Sequence, residues 1–211
     1  MEELSSKKKR TMRILLSIVI ALFCSVNVWA QRFEGMIQYT VSYRSHTMSV
    51  PTDQLAPQWG SELKWYIKDG KYRKEYNGKK RSIEIYSNSN PTLEVYNPST
   101  KRWTQTPTMI SNMEIQEVEI VEASEVILGK TCNEIIFTTN EGLCRFFYPA
   151  DLKMDAFSFS GHMIDCWFEY LNLTGAMPLK MIITTKERTM EAKAVSINRQ
   201  TLKDSLFIRQ N

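Results

Sequence analysis

Few side chains in this sequence could do catalytic chemistry, and their spacing matches none of the common catalytic motifs. The only histidines are His46 and His162. His162 and Asp165 are close enough to share a helical turn, and an ordinary polar contact is the favoured interpretation of that pair. Asp151 and Asp155 could form a carboxylate pair, although solvated loop residues are the better expectation. Because the chain has no G-x-S-x-G, H-E-x-x-H or phosphate-binding glycine loop, we predict a protein that is not an enzyme and needs no cofactor.

Cysteine provides the other reactive side chain. After the first thirty residues three cysteines remain, Cys132, Cys144 and Cys166, and none of them belongs to a C-x-x-C pair. Without that spacing a zinc site has no support, and small buried core residues are the favoured interpretation. The odd number allows one disulfide at most within a monomer. Where that bridge forms, we expect it to join Cys144 and Cys166, because both lie in apolar strand-like runs, and Cys132 is then a buried free thiol.

The first thirty residues have the pattern of a signal peptide. Five Lys and Arg residues at positions 7–13 precede the mostly apolar run Ile14–Val26, and Val28-Trp29-Ala30 provides a cleavage site. The apolar run is too short for a comfortable membrane span. We therefore predict a signal peptide over residues 1–30 and a mature chain that begins at Gln31 and has no stable membrane span. The predicted location is periplasmic or secreted.

The charge balance of the mature chain excludes one class of partner. The leader holds five of the 27 Lys and Arg residues and two of the 23 Asp and Glu residues, so the mature chain has 22 basic and 21 acidic side chains. A nucleic-acid partner requires a much larger basic excess on one face, so none is expected. Residues 31–211 are enough for a single β-rich domain with one core.

Hairpin signals recur along residues 31–211 and predict a mainly β fold. The run Glu125–Pro149 has two apolar and aromatic stretches separated by the polar turn 138–142, and Asp69-Gly70 is the strongest two-residue hairpin signal. We predict roughly ten strands in a single curved antiparallel sheet or incomplete β-barrel, with few short helices. Because an uninterrupted meander twists as it grows, one face of this sheet is expected to be concave.

Five segments have a less regular pattern. Residues 44–60 form a long segment that we expect either to lie over or beside the mouth of the concave face, or to pack on the surface through its tryptophan. Residues 108–121 fit either the first turns of a helix or a strand with a phase shift near Gln116-Glu117, and we expect a short irregular piece followed by a strand with a bulge at that shift. Residues 149–160 are expected to cross one end of the sheet with a helical turn and to plug it with aromatic side chains. Residues 164–170 alternate like a strand, and 202–208 are predicted as an edge strand.

Five short stretches carry a family resemblance through their order and spacing. They are FEGMIQY (33–39), WYIKDGKYR (65–73), ILGKTC (127–132), MPLKM (177–181) and DSLF (204–207). Together they resemble secreted Bacteroidetes-type proteins of a family of unknown function numbered 4412. That resemblance implies a fold similar to the periplasmic lipoprotein carriers (LolA/LolB-like), in which a strongly curved antiparallel sheet wraps as an incomplete barrel around an apolar cavity. This chain differs from those carriers in having little predicted helix to close the cavity.

We therefore predict a non-enzymatic protein that binds an apolar or lipid-like ligand on the concave face of its sheet. Apolar side chains in the predicted strands supply that face, and the eleven Met residues of the full chain suit an adaptable pocket. The candidate ligand-binding residues are Trp65, Ile67, Ile83, Ile85, Leu93, Val95, Met181 and Ile183. The same residues could instead pack a closed core. The alternative function is a cell-envelope protein–protein binding module that acts through exposed strand edges.

Overall fold

The computed structural model of the protein describes residues 32–111 and 113–209. The predicted signal peptide and its cleavage site lie outside the described residues, so both stay predictions. Within those two ranges, no helix has the length and apolar character that crossing a membrane requires.

The described chain forms one antiparallel sheet of eleven strands, in the order β6-β5-β4-β3-β2-β1-β11-β10-β9-β8-β7. The strands are β1 (Gly35–Ser45), β2 (Glu62–Lys68), β3 (Lys71–Tyr76), β4 (Ile83–Ser87), β5 (Thr92–Asn97), β6 (Arg102–Pro107), β7 (Ile115–Ile127), β8 (Lys130–Thr139), β9 (Gly142–Tyr148), β10 (Lys180–Thr185) and β11 (Arg188–Arg199). The first and last strands pair in the middle, and β6 and β7 are the two edges. Among the described residues the sheet is not closed into a barrel, and two short α-helices accompany it, α1 (Thr52–Trp59) and α2 (Trp167–Thr174). The predicted mainly β fold, a single antiparallel sheet with few short helices, is confirmed.

Local turn chemistry sets the register of the strands as the sequence predicts. Asp69 and Gly70 join β2 to β3, and both have positive φ angles, 41° and 72°, as a primed two-residue turn requires. The central hairpin pairs β8 with β9. The predicted bulge in β7 is confirmed by a shift in register between Ile115 and Glu117.

The predicted strand over residues 164–170 is wrong. A short 3₁₀ turn leads instead into α2, which buries Trp167, Tyr170 and Leu171. These three positions have the spacing of one helix face, and that spacing competes with the alternation of apolar residues along the same stretch. Gly175, with a φ of 55°, ends the helix, and its N–H donates to the carbonyl oxygen of Leu171. Such a left-handed C-terminal cap favours glycine.

Two other segments differ from their predicted form. Residues 202–208 hold the 3₁₀ turn Asp204–Phe207 in place of an edge strand, and this turn contacts β3 and β4 and buries Phe207. Because β3 and β4 lie inside the sheet, the C-terminal segment covers a face of the sheet rather than extending an edge. Residues 44–60 contain helix α1, which buries Leu55 alone. A single buried position gives too little periodicity to predict a helix.

One face of the sheet carries most of the core, and we call it the inner face. It is the face that bears Trp65. Residues 149–179, between β9 and β10, cover this face and are called the covering segment. Their rings pack on rings of the strands, since the ring centroid of Trp167 lies 4.9 Å from that of Trp65, and the centroid of Tyr170 lies 4.4 Å from that of Phe146. The hydrophobic core therefore lies between the sheet and the covering segment.

The covering segment does much of the filling that the sequence assigned to a ligand. Phe159 is 1% exposed and stacks on Tyr86 with their centroids 6.0 Å apart, as the predicted aromatic plug requires. Phe157 is 75% exposed and takes no part in it. Tyr39 donates its hydroxyl proton to the carbonyl oxygen of Pro178 at 2.7 Å, which fixes the end of the segment to β1. Turns and one short helix suffice to cover this part of the inner face.

Glycine at position 142 is required by both conformation and space. Gly142 has a φ of 145°, and an added Cβ would lie 2.0 Å from the carbonyl oxygen of Thr184 in β10. We expect Gly142→Ala to lower the free energy of unfolding by about 3 kcal/mol, because backbone strain and the clash act together. Gly129→Ala is the matched control, since Gly129 has a φ of 73° but no atom within 4 Å of an added Cβ. Its strain alone costs about 1 kcal/mol. Urea unfolding measures both values, and equal losses would contradict the steric argument.

Candidate functional site

A cavity of about 270 Å³ lies on the inner face, between the sheet and the turn that precedes α2. An apolar recess of about 50 Å³ adjoins it and shares Lys74, His162 and Asp165 among its lining residues. The recess continues toward the two packed indoles of Trp65 and Trp167. The cavity and the recess together form one site with a polar part and an apolar part.

Glu84 is the centre of the polar part. Its buried carboxylate accepts hydrogen bonds from Arg81 at 2.9 Å and from the Tyr76 hydroxyl at 3.3 Å, and the Lys74 ammonium lies 3.7 Å away. Burial acts to raise the pKa of Glu84, but the charges of Arg81 and Lys74 outweigh it and hold the pKa below its ordinary value. Glu84 is therefore ionised at neutral pH and neutralises part of the positive charge around it.

Lys74 and Asp165 face each other across the cavity from the sheet and from the covering segment. The Lys74 ammonium lies over the rings of Trp65 and Tyr72, 4.2 and 4.9 Å from their centroids, which favours the charged form. Burial nevertheless lowers the pKa of Lys74. Asp165 is an exposed residue, so its carboxylate keeps contact with water. Asp165 and Cys166 both have left-handed backbone, with φ of 54° and 57°. Strained non-glycine residues of this kind cluster at functional sites.

His162 is a neutral, buried member of the site. Its Nε2 lies 2.7 Å from the Tyr72 hydroxyl, in a hydrogen bond whose donor depends on the tautomer. Its ring also packs on Tyr86, with centroids 4.6 Å apart. Burial lowers the pKa of His162 to about 3. The polar partner of this imidazole is thus Tyr72, rather than Asp165 as the sequence suggested, and the pair forms no acid–base dyad in the structure.

Unpaired polar atoms are concentrated in the lining of the cavity and the recess. Five buried side-chain atoms there have no hydrogen-bond partner in the described part of the chain. They are Tyr43 Oη, Trp65 Nε1, Arg81 Nε, His162 Nδ1 and Trp167 Nε1. Buried polar groups are nearly always paired with protein or water, and each exception calls for a physical reason. A site that accepts a polar ligand group supplies one.

Arg188 and Trp59 connect the site to helix α1. Arg188 lines the cavity, and the Cζ atom of its guanidinium lies 4.8 Å from the centroid of the Trp59 ring. No carboxylate of the described residues lies within ion-pair distance of Arg188. Trp59 is the last residue of α1, so part of the segment 44–60 lies beside the cavity.

The predicted ligand-binding residues divide into three groups. Leu93, Ile183, Trp65 and Met181 line the cavity or the recess. Ile67 and Val95 share the inner face, because Ile67 pairs with Tyr72 and Val95 pairs with Glu84, but neither of them lines the cavity or the recess. Ile83 and Ile85 lie on the opposite, outer face of β4 and do not approach the site. The register shows this directly, since Lys74 pairs with Glu84, and Arg73 pairs with Ile85.

Sequence reasoning missed the charged half of the site. The basic residues between 68 and 81 have the pattern of a solvated strand face, yet Lys74 lies on the inner face of β3, paired with Trp65 and Glu84. Its partner Glu84 lies on the next strand, and only the register brings the two together. One signal was available: Lys74 lies between Tyr72 and Tyr76 in strict alternation, which predicts one shared face.

The other candidate residues have structural roles or stay untested. Asp151 forms an ion pair with Lys130, and Asp155 forms one with Arg32 at 2.8 Å, so these carboxylates do not act as a pair. Cys132, Cys144 and Cys166 are buried free thiols in the structure. Contact with the Cys166 thiol, with burial second, raises the pKa of Cys144. The predicted Cys144–Cys166 disulfide therefore joins two neighbouring sulfur atoms and stays a prediction. No group of three or more acidic, Cys or His side chains in the described ranges could hold a metal ion.

Comparison with protein-family models and with curated proteins finds no match for this chain. The family resemblance drawn from the five short stretches therefore stays a prediction.

Proposed function

We propose that the protein is a periplasmic or secreted, non-enzymatic binding protein that takes an apolar or lipid-like ligand on the inner face of its sheet. The observation that supports this proposal is the cavity of about 270 Å³ with its adjoining apolar recess. The location follows from the predicted signal peptide. The covering segment leaves this part of the inner face accessible and closes most of the remainder.

The lining of the recess suits an alkyl chain. Trp65, Trp167, Met181 and Ile183 present aromatic, thioether and branched aliphatic surfaces to it. Methionine adapts its shape to different apolar partners, so the recess tolerates different chains. Burial of apolar surface contributes roughly 25 cal/mol per Å², which gives affinity without strong chemical selectivity. Small ligand sites are typically concave and apolar with a few polar groups that fix orientation, and the cavity has this composition.

Protein purified from its own periplasm tests the proposal. We expect native mass spectrometry and organic extraction to recover a bound amphiphile. Ile183→Phe, which fills the site, is expected to reduce the bound fraction. Ile182→Phe is the matched control, because Ile182 pairs with Arg145 and Glu191 on the outer face of the same strand. Absence of any extracted ligand, together with no binding of added alkyl ligands, would contradict the proposal.

The second candidate function is a cell-envelope binding module that acts through a strand edge. It is favoured by β7, a thirteen-residue edge strand with exposed Val118, Ile120 and Val126. An exposed edge with apolar side chains is a template for pairing with another chain. Ile120→Lys is expected to abolish capture of an envelope partner while leaving alkyl-ligand binding intact. If Ile120→Lys also abolished ligand binding, the β7 edge would not be a binding surface separate from the ligand site.

A further inference from the structure

We propose that the polar part of the cavity binds a carboxylate head group on an alkyl chain of medium length, with Arg188 as its principal cationic partner. This inference rests on the proposed function, because the recess must take the chain for the cavity to hold its head group. It identifies the ligand as a singly charged anionic amphiphile.

The charges that face the cavity leave a positive excess. Lys74, Arg81 and Arg188 are three cations, and Glu84 and Asp165 are at most two anions. The Glu84 carboxylate forms ion pairs with the Arg81 guanidinium at 2.9 Å and with the Lys74 ammonium at 3.7 Å. Among the described residues, Arg188 has no carboxylate within ion-pair distance, and its guanidinium lies over the ring of Trp59. Its charge also acts on the Tyr43 hydroxyl and the Asp165 carboxyl, and a guanidinium stays charged at any ordinary pH. Asp165 is an exposed residue, so its carboxylate stays hydrated, and the groups that line the cavity have an excess of one positive charge.

The unpaired atoms at the polar end are donors. Tyr43 carries a hydroxyl proton and Arg81 carries the proton on Nε, and neither has a hydrogen-bond partner among the described residues. The guanidinium of Arg188 adds a planar fork of N–H donors. An ionised carboxylate is purely an acceptor and matches such a fork with two parallel hydrogen bonds. An ammonium head group would be repelled by the three cations that line the cavity, and an alcohol would neutralise none of them.

The dimensions limit the ligand to a short amphiphile. At about 30 Å³ for each water-sized group, the cavity accommodates about nine non-hydrogen atoms. The carboxylate would lie between Arg188 and Arg81, and the chain would run past Ile183 toward Trp65 and Trp167 in the recess. The recess of about 50 Å³ adds about two more, so the two spaces accommodate about eleven non-hydrogen atoms, close to the roughly twelve of a ten-carbon carboxylate.

Titration of the mature protein with decanoate, decanol, decyl phosphate and decyltrimethylammonium tests the inference. Tryptophan fluorescence is a suitable signal, because Trp65 and Trp167 line the recess. We expect decanoate to bind at least about tenfold more tightly than decanol, as a charged hydrogen-bonded pair in a partly buried site would produce. The ammonium compound is expected to bind more weakly than decanol.

Two variants isolate the head-group contact. Arg188→Gln is expected to remove the preference for decanoate over decanol and to leave decanol affinity unchanged. Tyr43→Phe, which deletes one unpaired donor, is expected to reduce the preference by a smaller factor. Arg199→Gln is the matched control, since Arg199 lies on the same strand, stacks at 5.3 Å on Phe33 and lines neither space. Its decanoate affinity should equal that of the wild type, and thermal unfolding verifies that each variant folds.

The outcomes separate this inference from the proposed function. Equal affinities for decanoate and decanol, unchanged by Arg188→Gln, would overturn the head-group inference and leave an apolar ligand site intact. Tighter binding of decyl phosphate than of decanoate would overturn the carboxylate assignment. Failure of all four compounds to bind would overturn both the head-group inference and the proposed function.

Discussion

Replacement of Glu84 by alanine is expected to lower the free energy of unfolding by about 3–5 kcal/mol, because it leaves buried cations without their counterion. The Glu84 side chain is 6% exposed, and those of its partners Lys74 and Arg81 are 18% and 21% exposed. Without the Glu84 carboxylate, Lys74 and Arg81 remain largely desolvated but lose the negative charge that compensates for it. Urea unfolding at neutral pH measures the loss.

Glu94→Ala is the matched control for this prediction. Glu94 lies on the neighbouring strand and pairs with Ile85 on the outer face, so it does not contribute to the site. Its carboxylate accepts one exposed hydrogen bond from Gln105. Its replacement should change stability by no more than about 0.5 kcal/mol. Adding Lys74→Met to Glu84→Ala should restore part of the lost stability, because it removes an unpaired buried cation. A Glu84→Ala variant as stable as Glu94→Ala would show that the buried charges do not depend on one another.

The same carboxylate gives the stability a defined pH dependence. The pKa of Glu84 is lower in the folded protein than in the unfolded chain. Its contribution is therefore fully present above the unfolded pKa of about 4.3, and it is lost as pH falls through the folded value. Glu84→Gln removes this group from the titration, so the acid-induced loss of stability should be smaller in the variant than in the wild type.

The sheet could be predicted from sequence because its strands alternate cleanly over long stretches. In β1 the buried Ile37, Tyr39 and Val41 are separated by more exposed residues, and period-two alternation identifies a strand with one buried face. The Asp69-Gly70 turn then fixes the next register without any tertiary information. Edges, helices and covering segments depend on contacts between distant residues, so the sequence indicated them poorly.

The burial of both faces of β4 shows why the site was harder to predict than the fold. Ile85 and Tyr86 are adjacent, and they are 4% and 0% exposed, so β4 is buried on both faces. The covering segment packs on one face, and the C-terminal turn with Phe207 packs on the other. Where both faces are buried, apolar residues no longer indicate which face is inner. The sequence therefore assigned Ile83 and Ile85 to the site in place of Glu84.

Replacement of Trp167 by alanine is the second large expected effect. Trp167 is 4% exposed, and its ring centroid lies 4.9 Å from that of Trp65, 5.5 Å from that of Tyr170 and 6.1 Å from that of Phe159. Its removal leaves a cavity between the sheet and the covering segment, and large-to-small changes of this kind cost about 3–5 kcal/mol. The expected result is a lower urea midpoint with an unchanged slope.

Phe157→Ala is the control that separates this packing from general loss of aromatic surface. Phe157 lies on the same covering segment but is 75% exposed, so its replacement should change stability by no more than about 0.5 kcal/mol. Because Trp167 also lines the recess, Trp167→Ala should enlarge the space for an alkyl chain and shift the preferred ligand toward longer chains. A stable Trp167→Ala protein with unchanged chain-length preference would mean that the covering segment neither holds the core together nor limits the recess.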